Sequence, residues 1–312
     1  MPGFIYTIKY ITMKNVFALL LILAVGLNTA TAQKLKPYTI GAKTTGTVSS
    51  VKATVKSALE SNGLTVVGQY RPANDANRWV IAITSPELKS AVRKVGGTTG
   101  FALALRVGIT KEGSNIIVSY TTPAYWGNAY FQKNFGKVKS LYNQVAGKLK
   151  TAMSAVGGGG GTMYGSAKGM TASDLQGYHY MFGMPYFEDN IKLNSFGSYS
   201  AAVAKIDGNL SRGVKNLVKV YSIALLDKNL KLYGIGLRGS SGESAFLPTI
   251  DYGNPKHTTF LPYEMLVYNG DVYMLHGRYR IALSFPDLGM GTFMKIVSTP
   301  GNIEDLLKSA TK

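Results

Sequence analysis

The chain contains no cysteine among its 312 residues, and this absence excludes disulfides, thiolate metal sites, a cysteine nucleophile and a lipoprotein anchor. Histidine is nearly as rare, with 3 residues, and acidic side chains are few, with 16 Asp and Glu against 34 Lys and Arg. Hydrophobic residues make up 46% of the chain, which is too large a share for a disordered protein. The composition therefore indicates a basic globular protein, and the length favours two domains over one.

The N-terminus has the pattern of a secretory signal peptide. Met13 and a lysine precede an apolar run at 16–27, and an Ala-Thr-Ala cleavage site ends at Ala32. The run is shorter than the roughly 20 residues that span a bilayer. We therefore predict a signal peptide at 1–32, with Met13 as the better start and cleavage near Ala32, and export to the periplasm or the extracellular space. An uncleaved anchor is the alternative, and the mature chain offers no transmembrane candidate.

The positive charge is concentrated in one half of the chain. Residues 33–168 carry 18 Lys and Arg against 4 Asp and Glu, whereas residues 169–312 carry 14 against 12. Such a surplus can simply maintain solubility. It also suits an anionic partner outside the cytoplasm, such as a lipid headgroup, an anionic envelope polysaccharide or an acidic protein. Nucleic acid is not an expected partner, since exported chains seldom meet it.

A tract of five glycines divides the chain into halves with the same order of predicted elements. The tract opens a flexible linker at 157–169 and lacks the Gly-Lys-Ser/Thr of a phosphate loop. The first half closes with a helix at 127–156, and in the second half 278–285 is predicted to be extended chain. The predicted fold class is α+β, with two tandem two-layer α/β domains at 33–156 and 170–312, each a small mixed sheet with helices on one face.

The closing helix of the first half has two chemically distinct faces. At about 100° per residue, one line is apolar: Phe131, Phe135, Val138, Tyr142, Val145, Leu149, Met153 and Val156. The other side carries five lysines: Lys133, Lys137, Lys139, Lys148 and Lys150. This pattern is typical of a helix that packs on its own sheet with its lysines in water. It also suits attachment to an anionic membrane surface, where each lysine adds about 1 kcal/mol.

Aromatic residues form two clusters in the sequence. One lies where the first hairpin meets its helix: Tyr120, Tyr125, Trp126 and Tyr130. The other follows the linker: Tyr178, Tyr180, Phe182, Tyr186 and Phe187. Such rings form ligand-stacking surfaces or domain interfaces, and we favour an interface between the halves.

The histidines are the candidate metal ligands, and all lie in the second half: His179, His257 and His276. Imidazoles and carboxylates together suit zinc, iron or copper. No two histidines are spaced at i, i+4, however, so the spacing defines no metal geometry. Histidines that hydrogen-bond the backbone are the simpler interpretation. Met181 and Met184 raise the same alternative, because thioethers bind Cu(I) but also fill gaps in cores. No cofactor is predicted, while a divalent metal or copper stays open.

Gly234 and Gly236 belong to a segment that matches the letters of a dinucleotide fingerprint, ending at Gly239. No helix is predicted to begin there, so the match lacks its structural context. The first two glycines instead fall on one face of a predicted strand. We expect them to let a neighbouring ring or backbone approach that face closely.

Catalytic signatures are weak. The chain has no Gly-x-Ser-x-Gly motif, and acids in the first half are widely spread. Three second-half residues are the catalytic candidates: Glu264, His276 and Asp287. They can equally form a buried polar network.

Five segments carry a family resemblance: 119–130, 178–187, 255–258, 261–267 and 275–287. The chain resembles exported bacterial proteins built from tandem domains like those of domain-of-unknown-function family 302. The resemblance implies a two-layer α/β fold and a tendency to form dimers, and it implies no reaction.

The sequence therefore predicts an exported, basic protein of unknown function that binds an anionic or envelope-derived ligand without catalysis. A metal-dependent enzyme or hydrolase, with its site in the second domain, is the alternative function. An anionic envelope component or a protein is the expected partner, and a homodimer is an open arrangement.

Overall fold

The N-terminal half contains a six-stranded sheet in the order β2-β3-β4-β5-β1-β6. The structure is a computed structural model that describes residues 34–158 and 160–312, so the predicted signal peptide lies outside the described residues. The strands of this sheet are β1 (Tyr38–Thr44), β2 (Thr65–Tyr70), β3 (Arg78–Thr84), β4 (Leu105–Glu112), β5 (Asn115–Thr121) and β6 (Met163–Tyr164). The strands β4 and β5 pair as an antiparallel hairpin.

Helices cover one face of this sheet: α1 (Val48–Ser61), α2 (Pro86–Val95), α3 (Pro123–Phe131) and α4 (Phe135–Ala155). Both α1 and α2 pack against α4, and α1 contacts β2, β3 and β4. At the start of α2 the Ser85 hydroxyl accepts a hydrogen bond from the Leu88 N–H at 3.2 Å, and a proline lies in the first turn.

The long helix predicted at 127–156 is two helices. A 3-10 turn, Gln132–Asn134, separates α3 from α4, and Gln132 has φ 50°, which an α-helix does not accommodate. The predicted apolar line is nevertheless confirmed, because its members from Phe131 to Met153 are buried and Val156 is half-buried. The apolar period survives the break because both helices pack on the same core.

The C-terminal half contains a five-stranded sheet in the order β7-β11-β10-β9-β8. Its strands are β7 (Ile191–Ser195), β8 (Leu217–Leu225), β9 (Leu230–Leu237), β10 (Tyr263–Tyr268) and β11 (Asp271–Met274). Its helices are α5 (Ala172–Gln176), α6 (Tyr199–Arg212), α7 (Glu243–Ile250), α8 (Gly277–Ser284), α9 (Met290–Met294) and α10 (Thr299–Ser309). The predicted α+β fold class is confirmed. Within the described residues every strand pairing is antiparallel, so both sheets are antiparallel and not mixed.

The extended chain predicted at 278–285 is wrong, because this segment lies in α8. The helix is buried nearly all round, since Tyr279, Arg280 and Ile281 are successive buried residues. A helix without a solvent face gives no 3.6-residue hydrophobic period. At its start, arginines alternate with apolar residues, and this two-residue period is the pattern expected of a strand.

The two halves share one strand order. Setting β6 aside, β2-β3-β4-β5-β1 corresponds to β8-β9-β10-β11-β7. In each half the first strand pairs with the second strand of the last hairpin, β1 with β5 and β7 with β11. The strands β1 and β7, which no local sequence pattern predicted, complete the repeated order.

Each half places a short 3-10 segment against the sheet of the other half. Gly97–Leu103 contacts β9 and β10, where a Cβ on Gly100 would lie 2.6 Å from Leu266. Thr258–Phe260 contacts β3, β4 and β5, where a Cβ on Gly108 would lie 2.8 Å from Thr259. We call this contact region between the two sheets the seam. Residues 34–312 form one compact unit.

The aromatic clusters lie at the seam, which confirms the predicted interface. The Tyr125 hydroxyl donates to the Leu283 carbonyl at 2.8 Å, and the ring of Tyr130 stacks on Phe187 with centroids 5.4 Å apart. Phe182 and Tyr186 are exceptions, since Phe182 is fully exposed and Tyr186 is 44% exposed.

The segment predicted as a linker, 157–169, runs beside β1. The Gly161 N–H donates to the Ile40 carbonyl at 2.9 Å, and β6 then pairs with β1. The segment thus contributes the edge strand β6 to the first sheet before the chain continues into the second half. Among the described helices, none is long and apolar enough to cross a membrane.

Candidate functional site

A cluster of charged side chains is sealed inside the seam. Arg106 is the second residue of β4 and Glu264 the second residue of β10, and the guanidinium of Arg106 pairs with the Glu264 carboxylate. Arg280 of α8 approaches the other carboxylate oxygen at 3.9 Å. All three side chains are about 2% exposed. Burial acts to lower the pKa of Arg106, but Glu264 together with the neighbouring Tyr221 and Tyr130 holds that pKa above its usual value.

Arg280 is held by further contacts. Its Nη2 donates to the Phe260 carbonyl at 2.8 Å and its Nη1 to the Ser284 hydroxyl at 3.2 Å. Its guanidinium carbon lies 5.0 Å from the ring centroid of Trp126, in cation–π geometry. The cluster is thus fully enclosed, and Glu264, a predicted catalytic residue, has no contact with solvent there.

The two strand glycines admit two tyrosine rings, as predicted. A Cβ on Gly234 would overlap the ring of Tyr221, and a Cβ on Gly236 would lie 2.9 Å from the ring of Tyr70. The Tyr221 hydroxyl donates to Glu264 Oε1 at 2.6 Å. Burial raises the pKa of Tyr221, and the neighbouring carboxylate raises it further, so the phenol stays protonated as a donor.

The second tyrosine reaches another buried carboxylate. The Tyr70 hydroxyl donates to Glu243 Oε1 at 3.0 Å, and the Ala73 N–H donates to Glu243 Oε2 at 2.6 Å. Burial raises the pKa of Glu243, although hydrogen bonds from the Ala73 and Leu237 N–H groups act against the shift. Glu243 opens α7, so this carboxylate ties the second half to the loop after β2.

A cavity of about 340 Å³ opens beside the seam. The first half contributes Lys36, the segment after the glycine tract contributes 163–167, and the second half contributes 250–255, His257, Phe285, Asp287 and Leu288. The cavity is therefore walled by both halves of the chain.

His257 lies in the cavity wall between aromatic rings. It stacks on Phe285 with centroids 4.6 Å apart and lies 4.7 Å from Tyr38. Its Nδ1 is buried and has no hydrogen-bond partner among the described residues. Burial lowers the pKa of His257, and the nearby Asp251 carboxylate opposes that shift. The imidazole is therefore neutral at pH 7.

The Asp251 carboxylate at the cavity is neutralised by the first half. It pairs with the guanidinium of Arg78, and its Oδ1 accepts from the His257 backbone N–H at 2.9 Å. Arg78 also donates to Asp75 at 3.2 Å. Arg78 and Asp251 lie 173 residues apart in the chain, so no local sequence pattern predicts this pair.

Asp287, the second predicted catalytic residue, borders the same cavity. Its Oδ2 accepts from the Ala167 N–H at 2.6 Å and its Oδ1 from the Ser166 hydroxyl at 3.2 Å. It has no cationic partner among the described residues. Asp287 thus anchors the segment that follows the glycine tract.

The other two histidines have different neighbours. His276, the third predicted catalytic residue, caps α8, where its Nδ1 accepts from the Arg278 N–H at 3.2 Å. Burial and the charge of Arg278 lower the pKa of His276. His179 lies against Tyr186 with ring centroids 4.5 Å apart. In the part of the chain that the structure describes, no three His, Cys, Asp or Glu side chains are grouped to hold a metal ion.

The five predicted lysines lie on the outer side of the helix layer formed by α1, α2 and α4. Four are exposed: Lys133, Lys137, Lys139 and Lys150. Lys148 is half-buried and pairs with Glu87 at 2.6 Å. These helices and the turn before α4 together contain ten basic residues and only two acidic residues, Glu60 and Glu87. We call this surface the lysine face.

No protein-family model and no curated protein matches the chain. Among solved structures, the chain is similar to an uncharacterized conserved protein DUF302 from Bacillus stearothermophilus, with 10% sequence identity and a TM-score of 0.33. That similarity covers 36% of this chain and 94% of the other.

Proposed function

We propose that this protein is a non-enzymatic binding protein that attaches through its lysine face to an anionic lipid surface. One observation carries the proposal: the ten-to-two excess of basic residues on a single helix layer. The buried side of α4 faces the sheet, so its lysines project toward solvent. A surface of one sign attracts a surface of the other, at about 1 kcal/mol per lysine near an anionic bilayer.

The four exposed lysines are free to act in this way. Within the described ranges, no carboxylate lies within ion-pair distance of Lys133, Lys137, Lys139 or Lys150. Their positive charges are therefore not neutralised by ion pairs within the described part of the protein. An anionic envelope polymer would be attracted by the same chemistry, and the experiment below separates the two.

The proposal includes export and a tandem organisation. Cleavage of 1–32 would place the protein among the headgroups of the cell envelope. The shared strand order supports two tandem domains of the family-302 kind, at 33–156 and 170–312, joined by 157–169.

Vesicle flotation tests the attachment. We expect the protein to float with vesicles of phosphatidylcholine and phosphatidylglycerol at about 0.05 M NaCl, and to be released at about 0.5 M, because salt screens exposed charges. Vesicles of phosphatidylcholine alone should not bind. Failure to float at low salt, with retention on an anionic polysaccharide matrix, would transfer the function to a polymer and overturn the lipid proposal.

A matched pair of variants locates the surface. Replacing Lys133, Lys137, Lys139 and Lys150 by glutamine should abolish flotation. The control removes four exposed lysines from the second half: Lys205, Lys215, Lys228 and Lys308. Both variants lose the same charge, so equal loss of binding would show that only net charge matters and would contradict a defined surface.

A further inference from the structure

We infer that the cavity beside the seam binds a small neutral sugar of one or two rings, with Tyr252 as the stacking platform and Asp287 and Asn254 as hydrogen-bonding groups. This site is separate from the lysine face, and none of the five lysines lines it. The inference therefore goes beyond the proposed function.

Aromatic and aliphatic side chains form the inner wall of the cavity. His257 and Phe285 stack with an interplanar angle of 27°, and Tyr164 lies edge-on to the imidazole. Ile250 and Leu288 complete this wall, and both are buried. A concave, mostly apolar wall with a few polar groups around it is the usual construction of a small-molecule site.

Tyr252 stands at the rim with its side chain 70% exposed. An exposed tyrosine that lines a cavity offers its ring face to a ligand. A pyranose ring has an apolar C–H face that can pack on a phenol, while its hydroxyls project sideways to polar groups.

Polar groups of both kinds lie around this platform. Asp287 offers a carboxylate that has only hydrogen-bond donors and no cation as partners. Asn254 supplies an amide, and Lys36 supplies an ammonium. A carboxylate accepts from sugar hydroxyls, while the amide and ammonium donate to them, and charge-assisted bonds of this type are strong.

The charges of the cavity balance, which selects a neutral ligand. Asp251 is paired with Arg78, Lys36 and Asp287 have opposite signs, and His257 is uncharged. A lining without a net charge gives no preference for an anion or a cation. Its capacity for hydrogen bonds remains, and a polyhydroxylated neutral molecule fits it best.

The size limits the ligand to a short sugar. The cavity, at about 340 Å³, is at the lower end of the range found for small-molecule sites, roughly 300–1,000 Å³. A long polymer would have to lie across the opening and leave the inner wall uncovered.

Calorimetric titration of the full chain tests the inference with three probes: maltose, cellobiose and N,N′-diacetylchitobiose. We expect at least one to bind with a dissociation constant below about 1 mM. Tyr252→Ala should weaken this binding about tenfold or more, while Tyr252→Phe should keep it, because the ring is retained. Asp287→Asn should also weaken it.

The control is Tyr186→Ala, which removes another exposed tyrosine (44%) that does not line the cavity. It should bind like the wild type. The inference is overturned if none of the three sugars binds, if Tyr252→Ala binds as well as the wild type, or if the zwitterion glycylglycine binds more tightly than every sugar. Flotation with vesicles is unaffected in each case, so the two proposals fail separately.

Discussion

The seam and the lysine face hold the positive charges of this protein in opposite ways. The buried cations of the seam are arginines, and each has a carboxylate within reach: Arg78 with Asp251, and Arg106 and Arg280 with Glu264. The lysine face carries exposed lysines, most of them without such a partner. A rigid guanidinium forms several directed bonds in a buried site, whereas a lysine keeps its ammonium in water on a flexible stem.

The difference teaches that net charge alone does not locate a binding surface. Residues 33–168 have a surplus of 14 positive charges, from 18 basic and 4 acidic residues. Part of this surplus is used inside the molecule, where it joins the halves. Only the remainder is available to a partner, and burial beside a carboxylate distinguishes the charges used internally from those at the surface.

The largest loss of stability should come from removing the negative charge of Glu264 in the seam. Glu264→Gln keeps the shape of the side chain but leaves Arg106 and Arg280 buried without a countercharge. We expect a loss of about 3–5 kcal/mol in the free energy of unfolding, measured by urea denaturation.

The matched change at the surface is Glu60→Gln, which breaks an exposed pair with Lys56. Exposed pairs contribute little, so its effect should stay within about 0.5 kcal/mol. A loss below about 1 kcal/mol for Glu264→Gln would contradict the contrast between the two regions.

A smaller effect should follow from crowding the tyrosine that donates to Glu264. Gly234→Ala places a methyl group in the ring of Tyr221, and overpacking of this kind costs about 1–3 kcal/mol. Gly136→Ala is the control, because this exposed glycine of α4 has open space at its Cβ. It should gain up to about 1 kcal/mol from better helix propensity. Unfolding midpoints that rank the two variants the other way would refute the ring-on-glycine contact.

The next effect is a dependence of the protein's stability on pH, caused by the titration of His257. Its pKa is lowered in the folded state, so the unfolded chain binds this proton first as the pH falls. The stability it supports is fully present above about pH 6.5 and is lost progressively below that value.

The His257→Phe variant keeps a ring against Phe285 and removes the titration. The wild type should therefore lose more stability between pH 7 and pH 5 than this variant does. Parallel curves for the two proteins would show that His257 titrates as it does in the unfolded chain.

The smallest effect on stability belongs to the lysine face. Lys139→Gln should change the free energy of unfolding by less than about 0.5 kcal/mol, since the side chain is exposed. Its effect on vesicle binding should be about fivefold, the equivalent of about 1 kcal/mol for one lysine. A stability loss above 1 kcal/mol, or unchanged binding, would assign Lys139 a structural role.

The sequence predicts structure best where residues of one kind recur at regular intervals along one face of a helix or a strand. The apolar line of α4 and the two strand glycines follow directly from periods of 3.6 and 2 residues, and both predictions hold in the structure. The α8 helix has no solvent face, so no period marks it. The strands β1 and β7 depend on partners at the far end of each half, which local patterns do not encode.

The candidate site was predictable only in part, for the same reason. His257 and Asp287 were singled out by residue type, and both line the cavity. Tyr252, Lys36 and Arg78 were not, because their positions depend on how the two halves pack. Glu264 and His276 were grouped with Asp287 by sequence, yet Glu264 lies in the sealed cluster and His276 at the start of α8.

Arg106 and Glu264 occupy corresponding places, each the second residue of the third strand in the shared order. If two identical copies of either half met as the two halves of this chain meet, arginine would oppose arginine or glutamate would oppose glutamate. Like charges therefore disfavour the pairing of two identical units at this contact, whereas the two different units bring opposite charges together. The pairing is complementary, and neither unit can form it with a copy of itself.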